Sequence, residues 1–113
     1  METRLHVPDL FRLEFGSAVL KRIRRREISI PEGLGMIQDI RLMPLERHPD
    51  DSLFPYAFQL ASLTGASLYD CMYLALAVEL KSVVVTADRR FLRSIAETEY
   101  ADYGLWIEDL PAA

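Results

Sequence analysis

The chain has 113 residues, of which half are hydrophobic and 27% are charged, and its formal net charge is −4 at pH 7. This length suits a single domain spanning 1–113, and the composition is typical of a globular protein rather than a disordered one. No apolar run approaches the roughly 20 residues that cross a bilayer, so no membrane partner is expected. A single cysteine, Cys71, cannot form an internal disulfide, which favours a cytoplasmic location.

The first half of the chain is predicted to contain two strands and two helices. A β-capable run at 4–7 is stopped by Pro8, and the proline and acid that follow predict a helix that continues into a basic segment at 21–26. A second helix is predicted at 29–40. Residues 40–45 form a candidate second strand, whose proline suggests a sheet edge or a strand end.

The second half is predicted to alternate helices with strands. The predicted helices and strands are helix 53–63, helix 67–81, strand 82–86, helix 89–97 and strand 105–107. Gly65 is expected to end the first of these helices. The run 82–86 is β-branched without alternation, which is typical of a parallel strand buried on both faces. Together these elements predict an α/β fold with a parallel sheet that is covered by helices on both faces.

Three acidic residues lie where a charge is costly. Glu14 is predicted on or beside the apolar face of its helix. Asp70 is the only charge in the apolar stretch 68–78, and a desolvated lone carboxylate is unfavourable unless a cation, hydrogen-bond donors or a pKa shift compensate. Asp88 follows the β-branched strand, at the end where open α/β sheets place their ligand crevice. All three are therefore candidates for a functional site.

Each of these acids also has a structural explanation. Asp88 suits the N-cap of the helix that follows it, Asp70 could complete a capping arrangement with Ser67, and Glu14 could reach solvent from a helix boundary. Taken together, however, the three lie at positions that could converge on one edge of a sheet. Converging carboxylates repel one another, and oxygen ligands favour Mg²⁺ or Mn²⁺. The sequence thus predicts a divalent-metal site of the kind that activates water for phosphoryl chemistry.

Other residues of chemical interest are given structural roles. Cys71 lies in an apolar stretch and is predicted to be a small core residue. The Gly-Leu-Gly segment at 33–35 is too short for a dinucleotide-binding fingerprint, so a loop or helix-packing role is predicted. His6 and His48 are far apart in the sequence and neither has an acid at ligand spacing. Both histidines are therefore left out of the predicted site.

Positive charge is local in this acidic chain. A net charge of −4 provides no overall positive field for nucleic acid. The basic segment at 21–26 is compatible both with a solvated helix end, where cations complement the helix dipole, and with a patch that contacts phosphates. The candidate RNA-binding residues are Lys21, Arg22, Arg24, Arg25, Arg89 and Arg90.

Three segments together resemble a known family. They are VPDL at 7–10 followed by Glu14, YDCMYLALA at 69–77, and VVTADRRFL at 84–92. The last segment carries a T-x-D-x-x-F signature, and the middle one is an alanine-rich helix led by an aspartate. This combination resembles the PIN domain, and is most similar to the VapC-type toxins of bacterial toxin–antitoxin pairs, over about residues 5–107.

The resemblance implies a three-layer α/β/α fold and cleavage of RNA that depends on Mg²⁺ or Mn²⁺. By motif position, Glu14, Asp70 and Asp88 match three of the family's metal-binding acids. Thr86 matches the hydroxyl residue of the signature, which orients a carboxylate or a metal-bound water. The resemblance also implies an RNA substrate, a cognate antitoxin protein and a homodimer or higher oligomer.

The N-terminus departs from the family pattern. PIN domains begin with a hydrophobic strand that ends in an aspartate, and no counterpart is found upstream of Leu5. Asp9 cannot replace that aspartate, because it belongs to the predicted helix start. Without the central strand, the sheet would have a gap whose open edges invite another chain, and the site would lack one carboxylate. Either the protein starts further upstream, which we favour, or a shortened chain borrows a strand in its oligomer.

These features lead to competing functional hypotheses. The leading one is a metal-dependent endoribonuclease of the toxin type. The alternative is a catalytically inactive PIN-like module for binding or assembly, because the first-strand aspartate is not found. A more distant possibility is a small α/β enzyme or scaffold in which the three acids serve only as helix caps.

Overall fold

The computed structural model describes residues 5–110, which divide into two compact units. The first unit ends at His48 and the second begins at Pro49. Each unit contains helices and one two-stranded parallel sheet. The predicted α/β class with parallel strands is confirmed. The prediction of one domain across 1–113 stays a prediction.

The first unit contains two helices and two strands. They are β1 (Leu5–Pro8), α1 (Phe11–Arg24), α2 (Ile30–Leu42) and β2 (Leu45–His48). The two strands run parallel, with Leu5 opposite Leu45 and Pro8 opposite His48. A capping box begins α2: the Ser29 hydroxyl accepts a hydrogen bond from the Glu32 N–H, and the Glu32 carboxylate accepts one from the Ser29 N–H.

The strand predicted at 40–45 is displaced in the structure. Residues 40–42 belong to α2, and β2 begins only at Leu45. Pro44 explains the difference, because a proline disfavours helical geometry in the residue before it. Met43 accordingly has an extended backbone, with φ −71° and ψ 140°. The predicted position was therefore wrong: the helix ends just before the proline and the strand follows it.

Gly33 allows α1 and α2 to pack closely. It is buried, and a Cβ atom placed on it would lie 2.6 Å from Ile23 Cδ1 and 3.1 Å from Val19 Cγ1. Only a residue without a side chain fits this approach without displacing its neighbours. The helix-packing role predicted for this glycine is confirmed.

The second unit contains three helices and two strands. They are α3 (Asp50–Thr64), α4 (Leu68–Leu80), β3 (Val84–Thr86), α5 (Arg89–Ile95) and β4 (Gly104–Trp106), with 3-10 turns at Ala101–Tyr103 and Ile107–Asp109. Buried apolar side chains of the three helices form its core. Among them are Leu53, Ala57, Leu60, Cys71, Leu74, Phe91 and Ile95. The prediction that Cys71 is a core residue is confirmed, and burial raises the pKa of its thiol.

The ends of α3 show how local signals set helix boundaries. Gly65 ends the helix with φ 78°, a left-handed conformation that suits glycine, as predicted. The helix starts at Asp50, three residues earlier than predicted. Asp50 and Asp51 lie in its first turn, where negative charge complements the helix dipole.

Strand β3 is more exposed than its sequence predicted. Val83 and Val85 are 44% and 43% exposed, whereas the β-branched run predicted burial on both faces. Within residues 5–110, β3 is hydrogen-bonded only to β4, with Val84 opposite Gly104. The prediction of full burial was wrong, because the hydrophobic pattern does not specify how many strands lie beside it.

Among the residues described, no single helix is long and apolar enough to cross a membrane, and α3 with α4 would meet that criterion only as a bent pair.

Candidate functional site

Asp70 lies in the first turn of α4. Ser67 is the N-cap of this helix, and its Oγ accepts a hydrogen bond of 3.0 Å from the Asp70 backbone N–H. The predicted capping relation is therefore present. The Asp70 side chain is partly buried, and this burial is the main cause that raises the pKa of Asp70 above its ordinary value of 3.8. A hydrogen bond with the Ser67 side chain acts in the opposite direction and does not cancel the effect.

Asp88 is the N-cap of α5, as its structural explanation predicted. Its Oδ1 accepts hydrogen bonds from the N–H groups of Arg90, at 2.9 Å, and Phe91, at 3.3 Å. The Asp88 N–H in turn donates to Thr86 Oγ1 at 2.9 Å, so the threonine hydroxyl fixes the turn between β3 and α5. Both capping bonds end on Oδ1. The other oxygen of this exposed carboxylate, Oδ2, accepts neither of them.

The structure brings Asp70 and Asp88 close enough to repel each other. The charge of Asp88 is a further cause of the raised pKa of Asp70. Within the described part of the chain, neither carboxylate forms an ion pair with a lysine or arginine. Two neighbouring carboxylates without a lysine or arginine partner are a donor set that fits a hard divalent cation such as Mg²⁺ or Mn²⁺.

Glu14 lies in the first turn of α1 and is exposed. The helix buries Val19, which is about 140° away from Glu14 around the helix axis. Glu14 therefore reaches solvent from the start of its helix, as its structural explanation predicted. Glu14 belongs to the first unit, whereas Asp70 and Asp88 belong to the second, so its place in a common site stays a prediction.

Comparison with known proteins identifies the family. The family model for the PIN domain matches residues 1–97. This chain belongs to the PIN domain family. Its curated relatives include VapC ribonuclease Mb0985 of Mycobacterium bovis and Ribonuclease VapC9 from two strains of Mycobacterium tuberculosis. Each is 33% identical over 87 residues, which cover 77% of this chain and 67% of the relative. The resemblance of the motifs to PIN domains of the VapC type is confirmed.

The basic residues of this PIN domain are exposed. Those predicted to contact RNA are Lys21, Arg22, Arg24, Arg25, Arg89 and Arg90. Arg22 forms an ion pair with Glu27, with 3.3 Å between Nε and Oε2. The Arg89 guanidinium carbon lies 4.0 Å from the centre of the Trp106 ring, a cation–π contact that holds this side chain beside the Asp88 turn. Contact between these residues and RNA stays a prediction.

The PIN domain has a third group of ionisable side chains, which the sequence did not reveal. His6 Nδ1 lies 3.0 Å from His48 Nε2 and 3.5 Å from Glu46 Oε2. The prediction that neither histidine is near an acid was therefore wrong, whereas their exclusion from the predicted carboxylate site stays a prediction. Their proximity depends on the pairing of β1 with β2. The spacing of Glu46 and His48, two apart on one strand, was the only local signal for it.

Proposed function

We propose that this PIN domain is an endoribonuclease of the toxin type whose activity requires Mg²⁺ or Mn²⁺. The observation that carries the proposal is the partly buried carboxylate of Asp70, whose pKa is raised mainly by burial and further by the negative charge of Asp88. The names of the curated relatives, which are ribonucleases, support RNA as the substrate.

Asp70 and Asp88 are the residues of the second unit that would hold the cation, and Glu14 is the third metal-binding acid that the family resemblance implies. When bound there, a divalent ion would supply activation of water and neutralisation of charge on the phosphate. Thr86 acts as a positioning residue, since its hydroxyl holds the Asp88 backbone. The two N–H bonds to Asp88 Oδ1 fix the direction of that carboxylate, and Oδ2, which accepts neither bond, would be the oxygen that holds the cation.

The arginines that follow Asp88 would hold the RNA backbone next to the carboxylates. Arg89 is supported by Trp106, which limits the freedom of its side chain before RNA binds. Arg90 is exposed one residue further along α5. The basic segment at 21–26 provides further cations for phosphates. Such contacts position the RNA without reading its sequence, and they make binding weaker as salt increases.

The proposal includes the partners that the family resemblance implies. These are a cognate antitoxin protein and a homodimer or higher oligomer, with the cytoplasm as the compartment. The single cysteine is buried and free, which agrees with a reducing compartment. Copurification with the product of a neighbouring small gene would test the antitoxin partner.

The central test is RNA cleavage by the purified protein with Mg²⁺, with Mn²⁺ and with a chelator. Cleavage should require the ion. Asp70→Asn and Asp88→Asn should each reduce it at least about 100-fold, since even the loss of an outer-shell partner costs 10–100-fold. Asp51→Asn is the matched control, because Asp51 is an exposed acid in the first turn of α3. Cleavage that persists unchanged in Asp70→Asn and Asp88→Asn would contradict the proposal.

The second candidate is a PIN-like module that binds RNA or protein without cleavage. The observation that favours it is the use of Asp88 as a helix cap, which gives this carboxylate a structural role without any metal. Under this alternative, RNA or partner binding persists and no cleavage appears with either ion. Metal-dependent turnover by the 113-residue chain would rule it out.

A further inference from the structure

One face of the β1–β2 sheet carries a group of donor atoms that the proposed nuclease does not use. Side chains alternate between faces along a strand, so opposed residues and their neighbours two positions away share a face. His6 is opposite Glu46, and His48 lies two residues beyond Glu46. These three side chains therefore share one face of the sheet, whereas Val7 and Arg47 alternate onto the other.

The donor atoms of this group converge on one point. His6 Nδ1 lies 3.0 Å from His48 Nε2 and 3.5 Å from Glu46 Oε2, and one donor atom from each residue lies within 4.8 Å of the other two. Bond lengths of 2.0–2.2 Å at a tetrahedral zinc ion put any two ligand atoms about 3.3–3.6 Å apart. The separation of His6 from Glu46 falls in this range, and the two imidazoles need to move apart by only a few tenths of an ångström.

The chemistry of the three groups determines what can occupy this point. An unprotonated imidazole nitrogen and a carboxylate are both hydrogen-bond acceptors. Between the facing nitrogens of His6 and His48, either a proton or a cation must offset the two lone pairs. The Glu46 carboxylate lies 3.5 Å from the same nitrogen and is a third group that can bind a cation. Two imidazoles with one carboxylate favour Zn²⁺ and related transition metals over Mg²⁺.

We propose that His6, Glu46 and His48 bind one transition-metal ion of the Zn²⁺ class, with water completing its coordination. The side chains of His6 and Glu46 are 26% and 43% exposed, so solvent and ions reach the site from one side. Its ligands come from both strands of the sheet, so the bound ion links β1 to β2 and stabilises the first unit. This site is separate from the proposed nuclease carboxylates in its residues and in the metals it prefers.

The experiment is a titration of the purified chain, without a histidine tag, with Zn²⁺ and with Co²⁺. Calorimetry should give one site for each ion that persists in Asp70→Asn/Asp88→Asn, and Co²⁺ at this site should produce absorption bands in the visible spectrum. His6→Gln, Glu46→Gln and His48→Gln should each weaken binding at least about tenfold, because loss even of an outer-shell partner costs 10–100-fold. Arg47→Gln is the matched control on the opposite face and should bind as the wild type does.

Two further measurements distinguish this site from the proposed nuclease carboxylates and from a loss of folding in the variants. The titration is repeated with Asp70→Asn/Asp88→Asn, which should retain Zn²⁺ and Co²⁺ binding while losing any RNA cleavage. In the Co²⁺-loaded wild type, strongly shifted proton resonances from two imidazoles should appear in the NMR spectrum, a readout that does not depend on whether the variants fold. Absence of these resonances, or equal binding by a folded His6→Gln/His48→Gln variant, would overturn the proposal. So would a failure to bind either ion, which would leave the two histidines joined only by a hydrogen bond.

Discussion

Replacing Asp70 with asparagine is expected to stabilise the metal-free protein at neutral pH. Burial and the charge of Asp88 raise the pKa of Asp70 above 3.8, so its ionised form is less favourable in the folded chain than in the unfolded one. Above pH 3.8, and until the folded-state pKa has been passed, the folded chain binds more protons than the unfolded chain. The stability of the wild type therefore falls as the pH rises through this interval. Asparagine is neutral throughout and avoids that loss.

The expected gain in the free energy of unfolding of Asp70→Asn is small, and Mg²⁺ should turn it into a loss relative to the wild type. Asp70 is only partly buried, so solvent screens its charge and the gain in the free energy of unfolding is on the order of 1 kcal/mol or less. A ligand at 100 times its Kd stabilises the folded state by about 2.7 kcal/mol. If Asp70 holds the ion, most of this increment is lost in Asp70→Asn. The wild type should then be the more stable protein in saturating Mg²⁺.

The assay is urea unfolding at pH 7 with a chelator and again with Mg²⁺, followed by circular dichroism. Asp51→Asn is the control, since it removes an exposed carboxylate from the first turn of another helix. Mg²⁺ is preferred to Mn²⁺ here because it has little affinity for the imidazoles of His6 and His48. Below pH 3.8 the advantage of Asp70→Asn without metal should disappear. The reasoning is refuted if Asp70→Asn is less stable than the wild type in the chelator, or if Mg²⁺ stabilises both equally.

Three further substitutions test the packing that supports the two sites, each by the free energy of unfolding in urea. Gly33→Ala should be less stable than Gly35→Ala by about 1–3 kcal/mol, because overpacking against Val19 and Ile23 opposes the gain in helix propensity that both substitutions share. Gly35→Ala, whose added Cβ meets no atom within 4 Å in the described residues, should be neutral or stabilise by up to about 1 kcal/mol. Equal effects at the two glycines would contradict the close packing of α1 and α2. Leu74→Ala should cost about 2–5 kcal/mol, because Leu74 is fully buried, and Leu63→Ala, at a position 69% exposed, should stay within about 0.5 kcal/mol. A small effect at Leu74 would mean that α4 is not the core helix of its unit. Thr86→Val should cost about 1 kcal/mol by removing the acceptor for the Asp88 N–H, and Thr86→Ser should recover most of it; an unchanged Thr86→Val protein would remove the basis for a positioning role.

Local signals in the sequence predicted the elements around Asp70 and Asp88 well. The Ser67 cap of α4 and the Asp88 cap of α5 depend on hydrogen bonds that span two or three residues, so residue type and spacing are sufficient to predict them. The misplaced second strand also has a local cause, the effect of Pro44 on the residue before it.

Burial could not be predicted equally well. Val85 was expected to be buried and is exposed, whereas Glu14, which was expected on or beside the apolar face of its helix, reaches solvent as its structural explanation predicted. A hydrophobic pattern states which side chains can be buried if another element lies against them, whereas exposure depends on which elements are present. In β3 the described chain supplies one neighbouring strand, and this explains the exposure of Val85.

The histidine group shows the limit of sequence reasoning most clearly. His6 and His48 are 42 residues apart, and only the parallel register that puts His6 opposite Glu46 brings them together. A shift of this register by one residue would move the two ligands on β2 to the opposite face from His6, so no argument from spacing within one segment could find the site. The dependence of the site on strand register also affects stability. An ion that binds all three residues can do so only in this register, so it stabilises that pairing of β1 and β2 against every other. Mg²⁺ has little affinity for imidazoles and can therefore load the paired carboxylates alone, whereas Asp70→Asn/Asp88→Asn removes those carboxylates and leaves the histidine site for Zn²⁺ or Co²⁺.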